Sequence, residues 1–410
     1  MFDILLDETE RAVRDETRAF VRDEVSPQLL RDMDAERVEY PREYVQKLGE
    51  ARLLGLRFPK EYGGRGLGWN AEVAALEEVG VLGTALACAY SMPSIVGEAL
   101  VRFGTEEQRQ KYLVPMLRGE LIAAEGLTEP RGGSDFFGAA TTARSDGESF
   151  VLNGQKRFVV GAMGADLFLV YARTGDEKAK AHQAISAFLV ERAMGVEVKH
   201  VYGLLGTRGG GTGRIFLRDV RVPKGNLVGE LHGGYEVFNR MMVPERLTSA
   251  AGAIGMGRAM LEVATRYAHK RKAFGKTIRD FQGVSFRIAE SVARLDAARA
   301  LCFVAGRMAD AGLDARRLVS EAKKVSTEAA WATVNDAMQV MGGIGYTDVF
   351  PVERMLRDVR LALIWTGTNE VMNLLVQHEY ARELLGKPSK VRDVELDATH
   401  ADAAEEKVYE

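Results

Sequence analysis

Residues 127–135 read LTEPRGGSD, a polar segment with paired glycines inside an otherwise apolar run. Glycine allows the backbone to approach a ligand closely, and binding residues are concentrated in loops. Taken alone, a Gly-Ser-Asp cluster is equally typical of a solvated turn. The segment follows the point near Gly119 where helical patterns give way to strand patterns. We therefore expect a loop between two kinds of structure that is able to contact a ligand.

Composition limits the possible functions. The chain has 410 residues, of which 46% are hydrophobic and 28% charged, and this length suits about two or three domains. A net charge of -3 and a pI near 6.2 disfavour nucleic acid as a partner. Cys88, Cys302 and the six histidines lack the spacing of metal ligands, so no metal site is expected. The absence of a signal peptide or membrane-spanning pattern favours a cytoplasmic protein.

Hydrophobic periodicity divides the chain into three regions. Helical patterns fill the first third, short strand-like segments rich in β-branched and aromatic residues follow, and helical periodicity returns near Gly233. Evenly spaced short strands indicate a small barrel or sandwich, and the last region indicates a helical bundle. The predicted domains are residues 1–122 (all-helical), 123–232 (central β-barrel), 233–386 (four-helix bundle) and 387–410 (charged tail).

Several segments, taken together and in order, resemble the acyl-CoA dehydrogenase family. They include FPKEYGG (58–64), GTEEQ (104–108), LTEPRGGSD (127–135), FLRDVRVP (216–223), RKAFGK (271–276), QVMGGIGY (339–346) and GTNE (367–370). The match extends over roughly residues 5–385, and chance agreement of so many ordered segments is remote.

The resemblance implies a mostly helical α+β fold with an N-terminal helical domain, a central β-barrel and a C-terminal helical bundle. This agrees with the periodicity of the chain. The resemblance also implies FAD held between barrel and bundle, an acyl-CoA substrate and an electron-transferring flavoprotein as electron acceptor. A homo-oligomer, either dimer or tetramer, is expected.

The family's residues around the flavin ring map onto several positions of this sequence. Leu127 and Thr128 match residues that contact the ring, and Ser134 matches a contact to the CoA arm, although a turn hydroxyl is the alternative. Phe158 and Val160 stand where tryptophan and threonine are common. Loss of the threonine hydroxyl removes a usual hydrogen bond near flavin N5, which affects the flavin potential.

Other family positions hold the remainder of the cofactor. Arg271, Phe274 and Gln282 match residues that bind the FAD pyrophosphate and adenine, and arginine suits pyrophosphate because its guanidinium donates in pairs. Gln339, Gly342 and Gly343 match the contribution of a partner subunit. The loop that crosses the cofactor maps onto Gly367, Thr368 and Glu370, where Gly367 also lies against the substrate and Glu370 could equally be a helix cap.

Oxidation of an acyl thioester requires an ionised carboxylate that faces the α-carbon. Most family members supply it just before the Gly-Thr pair, where this chain has Thr366, whose hydroxyl is too weak an acid to act as a base. The isovaleryl and long-chain branches instead place it immediately before an arginine, as in Glu245-Arg246. Glu245 is therefore the expected base at the head of the long bundle helix, and a structural glutamate favoured by the helix dipole is the alternative.

The resemblance also suggests roles for the neighbours of the base. The Thr366 N–H is expected to bond the thioester oxygen, and Arg246 to contact CoA or the loop of the base. A compact Thr366 leaves room for a branched, cyclic or aromatic acyl group. Two other functions stay open on the same fold: a flavin monooxygenase or oxidase, and a non-catalytic FAD-binding homologue.

Overall fold

The computed structural model describes residues 3–175, 179–386 and 391–407. Helices from both ends of the chain enclose a central β-sheet, which confirms the mostly helical α+β fold. The helices of the N-terminal region are α1 (Glu8–Glu24), α2 (Pro27–Asp34), α3 (Arg42–Glu50), α4 (Trp69–Gly80), α5 (Thr84–Phe103), α6 (Glu106–Gln108) and α7 (Val114–Leu117).

Local sequence explains where these helices begin. Asp7 and Glu10 form a capping box at the start of α1, and Thr105 and Gln108 form another at the start of α6. Each box satisfies backbone N–H groups that a helix start leaves without a partner. Ser26 caps α2.

The sheet consists of β1 (Ala123–Gly126), β2 (Thr142–Asp146), β3 (Ser149–Val159), β4 (Leu167–Arg173), β5 (Ile185–Glu191), β6 (Glu197–Val201), β7 (Gly213–Pro223) and β8 (Leu227–Val228). Among the described residues its order is β6-β7-β3-β2-β4-β5-β8, and β1 pairs with β4 in parallel. The β1 pairing matters for the site, because β1 leads directly into the loop at 127–135.

The prediction of a β-barrel is wrong, because the sheet is not closed. Within the described part of the chain, β6 and β8 are both edge strands that do not pair with each other. β8 has only two residues, so it is too short to continue the ladder. The Gln108 side chain instead donates to the carbonyl groups of Gly225 and Leu227, both at 2.8 Å. A side chain therefore takes the place of a further strand at this edge.

The C-terminal region begins with α8 (Gly234–Lys270). A two-stranded hairpin follows, and the remaining elements are β9 (Lys272–Ala273), β10 (Lys276–Thr277), α9 (Gln282–Asp310), α10 (Arg316–Met341), α11 (Val352–Ala362) and α12 (Asn369–Leu385). α8 packs against α9 and α10 on one side and against α4 on the other. At Gly255 a Cβ atom would collide with the Glu77 carbonyl on α4, so only glycine permits this approach.

α5 is long and apolar enough to cross a membrane, yet 89% of the relevant window is buried inside the protein, as in the core helix of a globular fold. The cytoplasmic location therefore stays a prediction. Residues 391–407 of the predicted tail are mostly exposed, while 387–390 and 408–410 lie outside the described residues. The domain bounds also stay predictions.

Candidate active site

A buried ion pair anchors the loop at residues 127–135. The Glu129 carboxylate accepts hydrogen bonds from Lys156 Nζ at 2.7 Å and from the backbone N–H groups of Ala140 and Thr141 at 2.6 and 3.0 Å. Burial alone would raise the pKa of Glu129, but the Lys156 charge and these donors hold that pKa below its ordinary value. Lys156 Nζ also lies 3.4 Å from the Leu127 carbonyl. One ammonium group thus fixes both the start and the middle of the loop.

The end of β3 lies beside this loop. The Arg157 N–H donates to the Thr128 carbonyl at 2.8 Å, which brings Phe158 and Val160 next to the predicted flavin-contacting residues. Phe158 has a left-handed backbone (φ 55°) and its side chain is half exposed, while Val160 is partly buried. A large aromatic residue rarely adopts this conformation without a compensating role. The structure therefore brings together Leu127, Thr128, Phe158 and Val160.

Glu245 lies inside α8 rather than at its head. The helix starts at Gly234 and continues past Pro244, so Glu245 follows more than two turns after its start. The prediction of its position is wrong, and a helix-dipole role for Glu245 at a helix N-terminus is excluded with it.

Glu245 occupies a largely enclosed position between α8, β1 and α5. Its carboxyl group faces Glu125 of β1, and its charge acts on the buried thiol of Cys88 on α5. Burial raises the pKa of Glu245 above its ordinary value, although contact with Glu125 and the charge of Arg246 oppose the shift. A carboxylate with a raised pKa is suited to accept a proton near neutral pH.

The Thr366 loop meets α8 one turn beyond Glu245. Ser249, which shares a helix face with Glu245 through its i+4 spacing, has its hydroxyl oxygen 3.3 Å from Thr366 Oγ1. The two sequence positions at which family branches carry their base therefore converge on one face of α8. Thr366 has a left-handed backbone (φ 52°), and no described residue accepts a hydrogen bond from its N–H group.

A buried lysine of α10 holds the other end of this loop. Lys323 Nζ donates to the Gly367 carbonyl and to Asn369 Oδ1, both at 2.8 Å. Burial and the neighbouring Arg246 charge lower the pKa of Lys323 to about 7. Thr368 caps α12 by accepting from the Val371 N–H at 3.3 Å, and Glu370 is exposed in the first turn. The cap suggested for Glu370 is therefore supplied by Thr368.

The two predicted substrate contacts lie in different surroundings. Arg246 is buried and donates to Ser320 Oγ of α10 at 3.1 Å, while its Nε has no partner among the described residues. Burial and the neighbouring Arg316 charge lower its pKa to about 10. Ser134 is exposed on the loop at 127–135. Arg246 thus lies between α8 and α10, and Ser134 lies at the surface.

The residues predicted for the pyrophosphate and adenine form a separate surface. Arg271, Phe274 and Gln282 surround the β9–β10 hairpin, all three are exposed, and the Phe274 side chain is 94% exposed. Gln339 and the two glycines after α10, Gly342 and Gly343, are also exposed. A Cβ atom at either glycine would meet nothing within 4 Å. These six residues therefore lie at the surface of the single chain, whereas Glu245 is largely enclosed.

The residues near the Thr366 loop and the end of β3 fit the flavin end of FAD. The buried Arg157 Nε adjoins the predicted flavin residue Phe158, and the buried Trp365 Nε1 adjoins Thr366; neither donor has a hydrogen-bond partner within the described ranges. Buried donors normally find an acceptor, so a flat ligand rich in acceptor atoms suits this place. The half-exposed Phe158 offers a ring for stacking against it.

Sequence reasoning missed three buried charged residues of the site. Glu125 lies in β1, Lys156 in β3 and Lys323 in α10. For Glu125 the available signal was a lone charge inside an apolar segment, since such charges need a partner or a function, whereas Lys156 and Lys323 each stand beside a second basic residue and gave no such signal. The partners could not be known from the sequence, because they come from distant parts of the chain.

Comparisons with known proteins show which family the chain belongs to. The N-terminal, middle and C-terminal domain models of acyl-CoA dehydrogenase match residues 7–120, 124–220 and 232–381. The 3-(aryl)acrylate reductase of Clostridium sporogenes is 36% identical over 374 residues, covering 90% of this chain and 97% of that protein. The caffeyl-CoA reductase-Etf complex subunit CarC of Acetobacterium woodii is 35% identical, with coverage of 90% and 97%.

Among solved structures, butyryl-CoA dehydrogenase from Megasphaera elsdenii superimposes with a TM-score of 0.88 at 29% sequence identity. The likeness covers 93% of this chain and 100% of that one. Three matching domain models and similarity over nearly the whole length leave one conclusion. The chain belongs to the acyl-CoA dehydrogenase family and is an FAD-dependent oxidoreductase that dehydrogenates an acyl-CoA thioester.

Proposed function

We propose that Glu245 is the base that removes the α-proton of the acyl-CoA thioester. The observation that carries this proposal is the contact between Ser249 and Thr366, at 3.3 Å, on the helix face of Glu245. A carboxylate at position 245 can thus reach the same space as a carboxylate at position 366 does in other members of the family. Thr366 cannot act as the base, because its hydroxyl does not ionise near neutral pH.

The surroundings of Glu245 support its use as a base. Burial raises its pKa, so the carboxylate binds a proton more readily than an exposed glutamate does. The α-proton moves to a Glu245 oxygen, and bound FAD supplies the chemistry of accepting the hydride from the β-carbon. The apolar side chains of α5 around Cys88 exclude water from the base.

The Thr366 backbone is proposed to stabilise the charge that develops on the thioester oxygen. Its N–H has no partner among the described residues, and the left-handed backbone turns it out of the chain's own hydrogen bonding. Lys323 holds the next carbonyl, that of Gly367, at 2.8 Å. A donor fixed before the reaction costs no rearrangement when charge develops, which is how such groups accelerate acyl chemistry.

The flavin end of the cofactor is proposed to lie between β3 and the Thr366 loop, against Leu127, Thr128, Phe158 and Val160. Their proximity, fixed by the 2.8 Å bond between the Arg157 N–H and the Thr128 carbonyl, supports this placement. The exposed Ser134 is proposed to contact the CoA arm. Arg246 is proposed to support the base loop, since its guanidinium reaches α10 rather than the surface.

We also propose that the active enzyme is a homo-oligomer. Arg271 directly follows the end of α8 and lies 26 residues after Glu245, which at 1.5 Å per residue is about 39 Å. That distance exceeds an extended FAD molecule, so one chain cannot place its Glu245 and its Arg271 on the same cofactor. A second copy is needed to supply Arg271, Phe274 and Gln282. The 94% exposure of Phe274 in the single chain supports a surface that a second copy covers.

The names of relatives bear on the electron acceptor and the substrate. One relative is named as a subunit of an Etf complex, which supports an electron-transferring flavoprotein as the acceptor here. Two relatives are named for an arylacrylate and a caffeyl substrate. Among the branched, cyclic and aromatic acyl groups that Thr366 leaves room for, we propose the aromatic class.

Anaerobic titration of the flavin enzyme with straight, branched, cyclic and arylpropionyl thioesters of CoA tests both proposals. Loss of the flavin absorbance by the wild type identifies the substrate, and Glu245→Gln is expected to lose at least about 100-fold in rate. Glu262→Gln, an exposed change on the same helix, is the matched control. Equal bleaching by Glu245→Gln and the control contradicts the assignment of the base.

A further inference from the structure

A second carboxyl group faces the proposed base. In the parallel pairing of β1 and β4, Glu125 lies opposite Leu169, so it shares the sheet face of Leu169 and Tyr171. On α8, Val237 and Met241 pack against that same face. Glu245 is the next residue of this stripe at i+4 spacing. The register of the sheet and the period of the helix therefore bring Glu125 and Glu245 together.

The Glu125 side chain has few donors for a carboxylate in an enclosed position. Its Oε1 and the neighbouring Tyr171 hydroxyl have no hydrogen-bond partner of regular geometry among the described residues. The groups in contact with Glu125 are the Glu245 carboxyl and the Tyr171 hydroxyl. Two carboxylates can form a hydrogen bond only if one of them holds a proton.

The charged and titratable groups around the pair do not neutralise it. Within the described ranges neither Glu125 nor Glu245 forms an ion pair. The surrounding groups are Lys156 on β3, Arg246 on α8, Tyr171 on β4 and Cys88 on α5. Lys156 binds Glu129 at 2.7 Å, and Arg246 binds Ser320 at 3.1 Å. Lys156 is thus paired with Glu129, and Arg246 forms no ion pair with either carboxyl group in the described part of the chain, so double ionisation of the pair is disfavoured.

We propose that Glu125 is a positioning residue that holds a proton and donates it in a hydrogen bond to the Glu245 carboxylate, so that the base is ionised and fixed in orientation before substrate binds. This rests on the proposed role of Glu245. Burial and the adjacent Glu245 raise the pKa of Glu125 well above its ordinary value, whereas contact with Glu125 works against the rise at Glu245. The Arg246 charge favours the ionised form of Glu245, which is why the proton is assigned to Glu125.

The pair also accounts for the proton that the reaction releases from carbon. Before the reaction the two carboxyl groups share one proton and one negative charge. When the α-carbon–hydrogen bond breaks, that proton binds Glu245, and the pair then holds two protons and no charge. The electron pair of the β-carbon–hydrogen bond leaves as hydride in the established activity. No buried like-charge pair exists at either stage.

Two variants test the proposal through the pH profile of kcat/KM. Glu125→Leu removes the donor, so the acid limb should shift upward by about one pH unit, with about tenfold lower kcat/KM on its acid side. Glu125→Gln keeps an N–H donor and should leave the acid limb near that of the wild type. Glu148→Gln, at an exposed turn where the side chain is 95% exposed, is the control.

Infrared spectra of the resting enzyme at neutral pH give a readout that does not depend on turnover. The difference spectrum between the wild type and Glu125→Gln is expected to contain the carbonyl band of one protonated carboxylic acid, whereas the difference between the wild type and the control should contain none. An unshifted acid limb in Glu125→Leu, or the absence of this band from the difference spectrum of Glu125→Gln, overturns the proposal. If Glu125→Leu raises KM only for acyl groups that carry an amine and leaves the acid limb of the pH profile unshifted, Glu125 contacts the substrate and the proposal is overturned. Failure of the base itself is recognised separately, by an active Glu245→Gln.

Discussion

Replacing Lys156 by methionine should destabilise the fold and loosen the loop at 127–135. The Lys156 and Glu129 side chains are 0% and 5% exposed and lie 2.7 Å apart. Removing one partner of a buried pair costs about 3–5 kcal/mol, because the other charge stays buried. Glu129 keeps two backbone donors, at 2.6 and 3.0 Å, so we expect the lower end, about 3 kcal/mol. This corresponds to roughly a hundredfold change in the folding equilibrium.

Urea unfolding of the FAD-free protein measures this effect, and a double-mutant cycle isolates its cause. Glu129→Gln combined with Lys156→Met should restore part of the loss, because no uncompensated charge then stays buried, although the amide oxygen can accept only one of the two backbone N–H groups. Flavin affinity of Lys156→Met should fall as well, since the loop start at Leu127 loses its contact to Nζ. A loss below 1 kcal/mol, or a double variant as unstable as the sum of the single variants, would refute the reasoning.

Two further predictions concern the helices that carry the site. Gly255→Ala should destabilise the fold by about 2 kcal/mol, because the added Cβ collides with the Glu77 carbonyl. Gly252→Ala, whose Cβ meets only Ala87 at 3.7 Å, should be neutral or should stabilise the fold by up to about 1 kcal/mol. Equal thermal stability of the two variants contradicts this prediction. Burial lowers the pKa of Lys323 to about 7, so from pH 7 to 10 the unfolded chain binds a proton that the folded chain does not. Relative to Lys323→Met, the wild-type free energy of unfolding should therefore rise by at most about 1.4 kcal/mol per pH unit in that range, and a flat difference contradicts the buried lysine.

Much of the fold follows from local sequence patterns. The amphipathic runs became helices, and the short β-branched segments became strands, because each pattern fits only one way of burying its apolar side. Whether the sheet closes into a barrel could not be predicted from such local patterns. Whether β6 and β8 meet depends on the length of β8, which has two residues, and on the Gln108 side chain that occupies its edge.

The proposed site was only partly accessible from the sequence. Resemblance to a family supplied Glu245, Thr366 and the loop residues, but the expected position of Glu245 at the head of the long helix is wrong, because the helix begins at Gly234. No family motif in the sequence indicated a role for Glu125. Its importance arises from strand register and helix period, which bring residues 120 positions apart into contact. Such non-local pairs depend on tertiary packing that no local pattern encodes.

Exchange of the substrate's α-hydrogen with solvent tests the role of Glu245 most directly. A thioester labelled with deuterium at the α-carbon is incubated anaerobically with the flavin enzyme, and loss of the label is followed by mass spectrometry. The wild type and Glu262→Gln should release the label at equal rates, while Glu245→Gln should be slower by at least about 100-fold. Release by Glu245→Gln at the wild-type rate would contradict the account, because another group would then be removing the proton.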